Sequence, residues 1–373
     1  MASLYLHIPF RPATHPPSDA YTEVDPGLHT SYVQALVREI AHYGDRYGAT
    51  EPIDTLYVGG GTPSLLHVDD LQRVLQAVLG AFDAPLQEAT LEVAPAHASA
   101  DYLDSLQALG FTRVSLGVQS FYPDDRRALG FPSVADDMET IVARCHAAGF
   151  NSFSIDLAFG WEAQEDAYWA ANLARAARLE VPHLTLAEVT ERAHTAPQEQ
   201  VSARYRRALD VLSDRGYEPY EIANFARPGH RSRQNEAYWS HANYLGLGAS
   251  AHSFWWRGLP AYRWANVTPS SRYAALIRQG HAPTEGREAR SLDDLADEYV
   301  ALRLRTRDGL DLAHLSHRYG LDVADMAADV LDDLMQEGYL THDAATNRLR
   351  LTVDGMLVCD AVTQHLLQAL AIT

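Results

Sequence analysis

Residues Leu4-Tyr5-Leu6-His7-Ile8-Pro9-Phe10-Arg11-Pro12-Ala13-Thr14-His15-Pro16-Pro17-Ser18-Asp19 begin as a strand pattern and run into a loop that holds no cysteine. Arg11 carries fixed N–H donors and a permanent positive charge, so it cannot serve as a metal ligand. His15 could ligate a metal, whereas Ser18 is a poor ligand for iron at neutral pH. The chain's two cysteines are Cys145, in a helical pattern, and Cys359, near the far end, with no metal-type spacing between them.

Downstream of this first strand the chain alternates strand and helix as far as residue 227. Short apolar runs stand at Thr55–Val58, Thr90–Val93, Arg113–Val118, Ser152–Leu157, His183–Val189 and Tyr217–Ile222. Helical faces lie between them: Tyr32, Leu36, Ile40 and Tyr43; then Leu71, Val74, Leu75 and Val78 behind Asp69 as N-cap; then Leu103 and Leu106 behind Ser99. Gly110, Gly149 and Gly216 are natural helix stops. Repeated strand–helix units with buried strands predict a parallel sheet. Six or so units suit a partial barrel and are too few for eight repeats. From residue 228 to 291 the pattern turns irregular and rich in Tyr, Trp, His, Arg and Gly. A smaller unit fills 292–373, where helices and two wing strands around Asp343–Asn347 read as a winged-helix-like domain. Its helices carry Asp322, Asp325, Asp329, Asp332 and Asp333, which favours a lid or a partner-docking role over DNA binding.

The chain has 49 acidic residues against 30 basic ones, a net charge of -19, and every base is arginine. Such a surface repels phosphates, which argues against a broad nucleic-acid groove. With no lysine there is no Schiff-base amine for pyridoxal phosphate and no Walker-type phosphate lysine. Mean hydropathy is -0.23, and no apolar run reaches the ~18 residues of a membrane span. A soluble cytoplasmic protein without an integral membrane segment is expected.

Side chains at the C-terminal ends of barrel strands point into the active-site face. Gly59-Gly60-Gly61-Thr62-Pro63 follows the second strand, where glycines allow close backbone approach to a ligand. Glu92, Gln119 and Asp156 end the third, fourth and fifth strands, and polar residues there are hard to explain as packing. His252, beside Phe254, Trp255 and Trp256, and Tyr238, beside Trp239, combine a metal-ligating group with apolar rings.

The Leu4–Asp19 frame resembles the cluster-binding loop of radical S-adenosylmethionine (SAM) enzymes of the oxygen-independent coproporphyrinogen oxidase group. That family has three cysteines where this chain has Arg11, His15 and Ser18. A [4Fe-4S] cluster of this kind needs thiolates, so no cluster and no radical catalysis are expected. The resemblance implies a partial (β/α)6 TIM-like radical SAM barrel of α/β class. It also implies that Tyr5, Gly60, Gly61, Thr62, Glu92, Gln119 and Asp156 stand at SAM-contacting positions. The chain departs from the family at Val93-Ala94-Pro95, at Gly160-Trp161-Glu162 and at Phe131, where an arginine would pair with the SAM carboxylate. That loss, with the missing iron, implies no SAM binding at micromolar concentration. Beyond the barrel, Arg233-Gln234-Asn235-Glu236-Ala237-Tyr238-Trp239, Leu245–Ser253 and Arg263-Trp264-Ala265-Asn266 resemble motifs of HemW-type haem chaperones. The resemblance implies a haem-binding or haem-transfer protein with an acceptor protein as partner. Axial candidates are His252 and Tyr238, with His7 and His15 on the vacated cluster face. The alternatives are a residual SAM- or small-ligand-binding enzyme on the same face, and a scaffold or regulator of an intact paralogue.

Overall fold

The computed structural model describes residues 1–11, 22–23, 26–131, 137–190 and 195–370, so His15 and Ser18 lie outside the described residues. Six strands, β1 (Ala2–Ile8), β2 (Ile53–Gly60), β3 (Glu88–Val93), β4 (Arg113–Gln119), β5 (Ser152–Phe159) and β6 (His183–Glu188), pair in parallel in chain order. The crossovers include helices α1 (Pro26–Tyr47), α2 (Val68–Ala81), α3 (Ala100–Leu109), α4 (Pro123–Ala128), α5 (Met138–Ala147) and α6 (Asp166–Arg178).

Residue alternation explains the layering. Leu4, Leu6, Ile8, Leu56, Val58, Leu91, Val114, Leu116, Ile155, Leu157, Leu184 and Leu186 are all buried in the hydrophobic core. Each such side chain contributes about 1.5–3 kcal/mol on leaving water. A one-residue slip would turn this whole set to the polar interior, so the register is strongly specified. The intervening positions are polar and face the barrel interior: Tyr5 and His7, Tyr57, Thr90 and Glu92, Arg113 and Ser115, Ser154 and Asp156, His183 and Thr185. Helix α2 begins before its expected cap: His67 is the N-cap, and Asp69 and Asp70 sit inside the first turn, where carboxylates complement the helix dipole. Ser99 caps α3 as read, accepting from the Tyr102 amide at 3.2 Å.

The sheet does not close. Beyond β6 it ends in short antiparallel strands at Asn224–Ala226 and Glu218–Pro219. Beyond β1 it gains Tyr244–Leu247, parallel to β1, and then antiparallel strands His252–Trp255, Ala261–Asn266 and Thr284–Arg290. The segment that looked irregular in sequence thus extends the sheet. Its strands are short and aromatic-rich, and pairing with β1 supplies an order that local periodicity lacks.

The C-terminal unit carries helices Leu292–Leu304, Leu312–Tyr319, Val323–Met326 and Ala328–Gln336, then the wing pair Leu340–Asp343 and Arg348–Leu351 with Leu310–Asp311 as a third strand. A polar latch fastens it to the sheet. Arg263 Nε donates to Glu298 Oε1 at 2.9 Å and its Nη1 to Tyr244 Oη at 3.0 Å. His241 bonds Tyr319 Oη at 2.9 Å and Glu298 Oε2 at 3.2 Å, and its ring stacks on Phe254 at 4.6 Å. A second clamp surrounds the buried Glu39, which accepts from Asn266 Nδ2 at 2.7 Å, the Gly248 amide at 2.8 Å and the Tyr273 hydroxyl. Arg263 and Asn266 therefore hold the architecture together.

Candidate functional site

The site is built where β1 and β2 end side by side. Gly60 has φ +120, and a Cβ there would sit 2.8 Å from the His7 ring, so glycine alone fits. The next amide, Gly61 N–H, donates to the Ile8 carbonyl at 2.8 Å. The Gly60 amide is turned onto Glu92 Oε2 at 3.1 Å, and the Tyr57 hydroxyl donates to Glu92 Oε1 at 2.9 Å. Burial pushes the Glu92 carboxyl up to about 7, and the nearby Asp156 adds repulsion. Asp156 is itself pushed up to about 6, mainly by burial, while Thr185 bonds it and opposes the rise. Two carboxyls that change charge near neutrality therefore share one chamber.

That chamber is a cavity of about 280 Å³ whose wall includes Gly61, Thr62, Glu92, Gln119, Arg126 and Asp156. Gln119 adopts φ +63, in the left-handed region that non-glycine residues rarely occupy. Tyr5 stands beside the cavity. Its ring stacks on Tyr57 at 6.1 Å between centroids, and its hydroxyl lies 3.0 Å from His7 Nδ1. All seven positions read from the sequence as SAM contacts thus converge on one end of the barrel.

His252 lies at the same end and is exposed, opening the strand that turns back antiparallel to Tyr244–Leu247. It is close enough to repel a charge on His7, whose pKa falls to about 4 through burial first, then Arg11 and then His252. Tyr238 lies at the other end. It is on α7 (Arg233–Trp239), its hydroxyl accepts from Gln234 Nε2 at 2.7 Å, and its ring meets Tyr244 edge-on at 4.8 Å. Gln234 also accepts from Thr55, at the start of β2. Of the aromatic run, Phe254 and Trp255 are buried, and the Trp256 ring lies 4.0 Å from the Arg318 guanidinium.

Arg11 is the last described residue of the first loop. Cys145 is buried on α5, where burial pushes its thiol up to about 12. Cys359 opens the last helix, buried beside Thr363. Neither thiol is on the face that holds Glu92, so the described donors do not suit an iron–sulfur cluster.

Sequence reading missed Tyr57, Arg126 and His97. Tyr57 orients Glu92, Arg126 is a buried guanidinium on the cavity wall, and His97 also lines the cavity and meets Ser64 Oγ at 2.9 Å. A period-two reading of β2 would have found Tyr57, since Thr55, Tyr57 and Gly59 alternate with Leu56 and Val58. Arg126 had no such signal, because the helix that carries it is six residues long.

Two family models match the chain: the Radical SAM superfamily over residues 25–176 and the HemN C-terminal domain over 291–358. Heme chaperone HemW of Mycobacterium tuberculosis is 31% identical, covering 98% of this chain and 94% of that protein. Heme chaperone HemW of Bacillus subtilis is 28% identical over 92% of this chain and 96% of its own length. Among solved structures, the radical SAM enzyme coproporphyrinogen III oxidase (HemN) of Escherichia coli superposes with a TM-score of 0.80 at 22% identity, covering 98% of this chain and 89% of that one. The last likeness shows the fold; with the nearly end-to-end identity to the first, the chain belongs to the HemW family, built on a radical SAM barrel.

Proposed function

We propose that the protein binds haem and passes it to an acceptor protein, without radical chemistry of its own. The observation that carries this reading is the end-to-end similarity to proteins named heme chaperones in two distant bacteria. The barrel cavity, at about 280 Å³, falls just below the ~300–1,000 Å³ that encloses drug-sized ligands. A porphyrin would therefore dock against the open face rather than inside. His252 is the axial ligand we favour, being exposed at the same end of the barrel as Glu92, where haem iron can reach an imidazole. Tyr238 is second, because its hydroxyl is already bonded and stands at the far end. Among the described residues no helix is long and apolar enough to cross a membrane, in keeping with a cytoplasmic carrier.

Mixing apo-protein with haemin should give a Soret band that His252→Ala weakens at least tenfold in affinity and Tyr238→Phe leaves in place. No Soret band in the parent protein would overturn the haem reading; a band unchanged in His252→Ala would move the ligand elsewhere. Anaerobic incubation with iron and sulfide should leave the protein colourless and without an electron-spin signal, whereas a brown protein that cleaves SAM would refute the loss of radical chemistry. The surviving cavity favours one rival, a small-ligand-binding enzyme. SAM raising the melting temperature at micromolar concentration, with no response to haem, would select it.

A further inference from the structure

A second cavity, of about 480 Å³, opens at the opposite end of the barrel, between the starts of β3, β4 and β5 and the segment leading into α7. Arg113, the first residue of β4, lines it and is 3% exposed. Among the described residues no hydrogen-bond partner is found for its Nε. Asp156 and Glu92 act on this guanidinium from inside the barrel, but a buried N–H without an acceptor is still costly. Two inward-facing neighbours share the condition: Thr90 Oγ1, on the residue paired with Arg113, and His183 Nδ1, on β6. The Tyr220 hydroxyl accepts from the Ser232 amide at 3.2 Å and lies 2.6 Å from His183 Nε2.

The one carboxylate among the cavity's lining residues, Glu88, is already engaged. It accepts from the Arg233 and Gln234 amides, each at 3.1 Å, and from Ser232 Oγ at 3.3 Å. What this mouth offers beyond Glu88 is donors: the unmet Nε–H of Arg113 within, and the exposed Arg233 at the rim. Within a chain of net charge -19, that is a local reversal of sign.

We propose that the N-terminal mouth of the barrel is a binding site for a small oxyanion, of phosphate or carboxylate type, gripped by Arg113 from within and by Arg233 at the rim. The fork of N–H groups on Arg113 suits two oxygens of one anion. The mouth opens at the end opposite the Glu92 cavity, and the proposal does not depend on the haem reading.

The test uses the full chain at constant ionic strength, set with chloride. The melting temperature is followed against inorganic phosphate in one arm and malonate in the other. A saturating rise with either is expected, and the responding arm identifies the anion class. Arg113→Met should abolish the rise, whatever it does to the anion-free melting temperature, because the guanidinium also acts on the buried Asp156 and Glu92. Arg233→Ala should raise the half-saturating concentration by about tenfold. A rise that is linear in both arms, or identical in Arg113→Met, overturns the proposal. So does a crystal grown in the responding anion that shows only ordered water at Arg113. Should Arg113→Met fail to fold, an Arg233→Ala titration identical to that of the parent overturns it equally.

Discussion

Replacing Glu92 by glutamine tests whether the cavity's carboxyl is held protonated by burial. The carboxyl lies in a folded protein at about 7 against an ordinary 4.5, and that displacement corresponds to about 3 kcal/mol. A folded pKa above the unfolded one means that the folded state binds the proton more tightly. The stabilisation is then fully present below pH 4.5 and is lost as pH rises through 7. Glutamine never ionises, so the variant escapes this loss. It disturbs one bond, because its N–H₂ replaces an oxygen that accepts from the Tyr57 hydroxyl, which must turn round to accept instead. That costs about 1 kcal/mol at every pH. The variant should therefore be about 1 kcal/mol less stable than the parent at pH 4.5 and about 2 kcal/mol more stable at pH 8. Urea unfolding of both proteins across that range reads the difference, and titrating groups remote from the cavity cancel between them. A stability difference that does not change with pH would refute the assignment.

Three further outcomes follow from the same contacts. Glu39→Ala leaves Asn266, Tyr273 and the Gly248 amide without their buried acceptor, and should cost at least about 3 kcal/mol in urea unfolding. Gly60→Ala forces a methyl to 2.8 Å from the His7 ring at φ +120, and should cost about 2 kcal/mol or more, read as a lower melting temperature. Arg263→Ala removes the ion pair to Glu298 and the bond to Tyr244. It should cost about 2 kcal/mol and speed proteolytic cleavage between residues 284 and 292, where the sheet passes into the C-terminal unit.

The order of strands and helices could be read from the chain because alternation and helical periodicity are local properties. Ser99 could be placed at its helix start, for the cap bond spans three residues. Asp69 could not be told from its neighbours, since a carboxylate suits several positions of a first turn. Glu92, Gln119 and Asp156 announced themselves as polar residues ending apolar runs. Arg126 and His97 did not, because a short helix and a single turn bring them onto the wall.

Composition by itself determined the absence of thiols in the first loop and of lysine throughout, because no fold can supply a side chain the chain lacks. Local periodicity determined the parallel strand–helix layout for the same reason. Only the tertiary structure decided that His252 shares an end with Glu92 while Tyr238 stands at the other. It alone showed that Arg263 and Asn266 bind elements together, and that Arg113 is buried with an unmet donor. Those outcomes depend on which distant strands pair and which side chains that pairing takes out of water, and neither is a property of any short stretch of sequence.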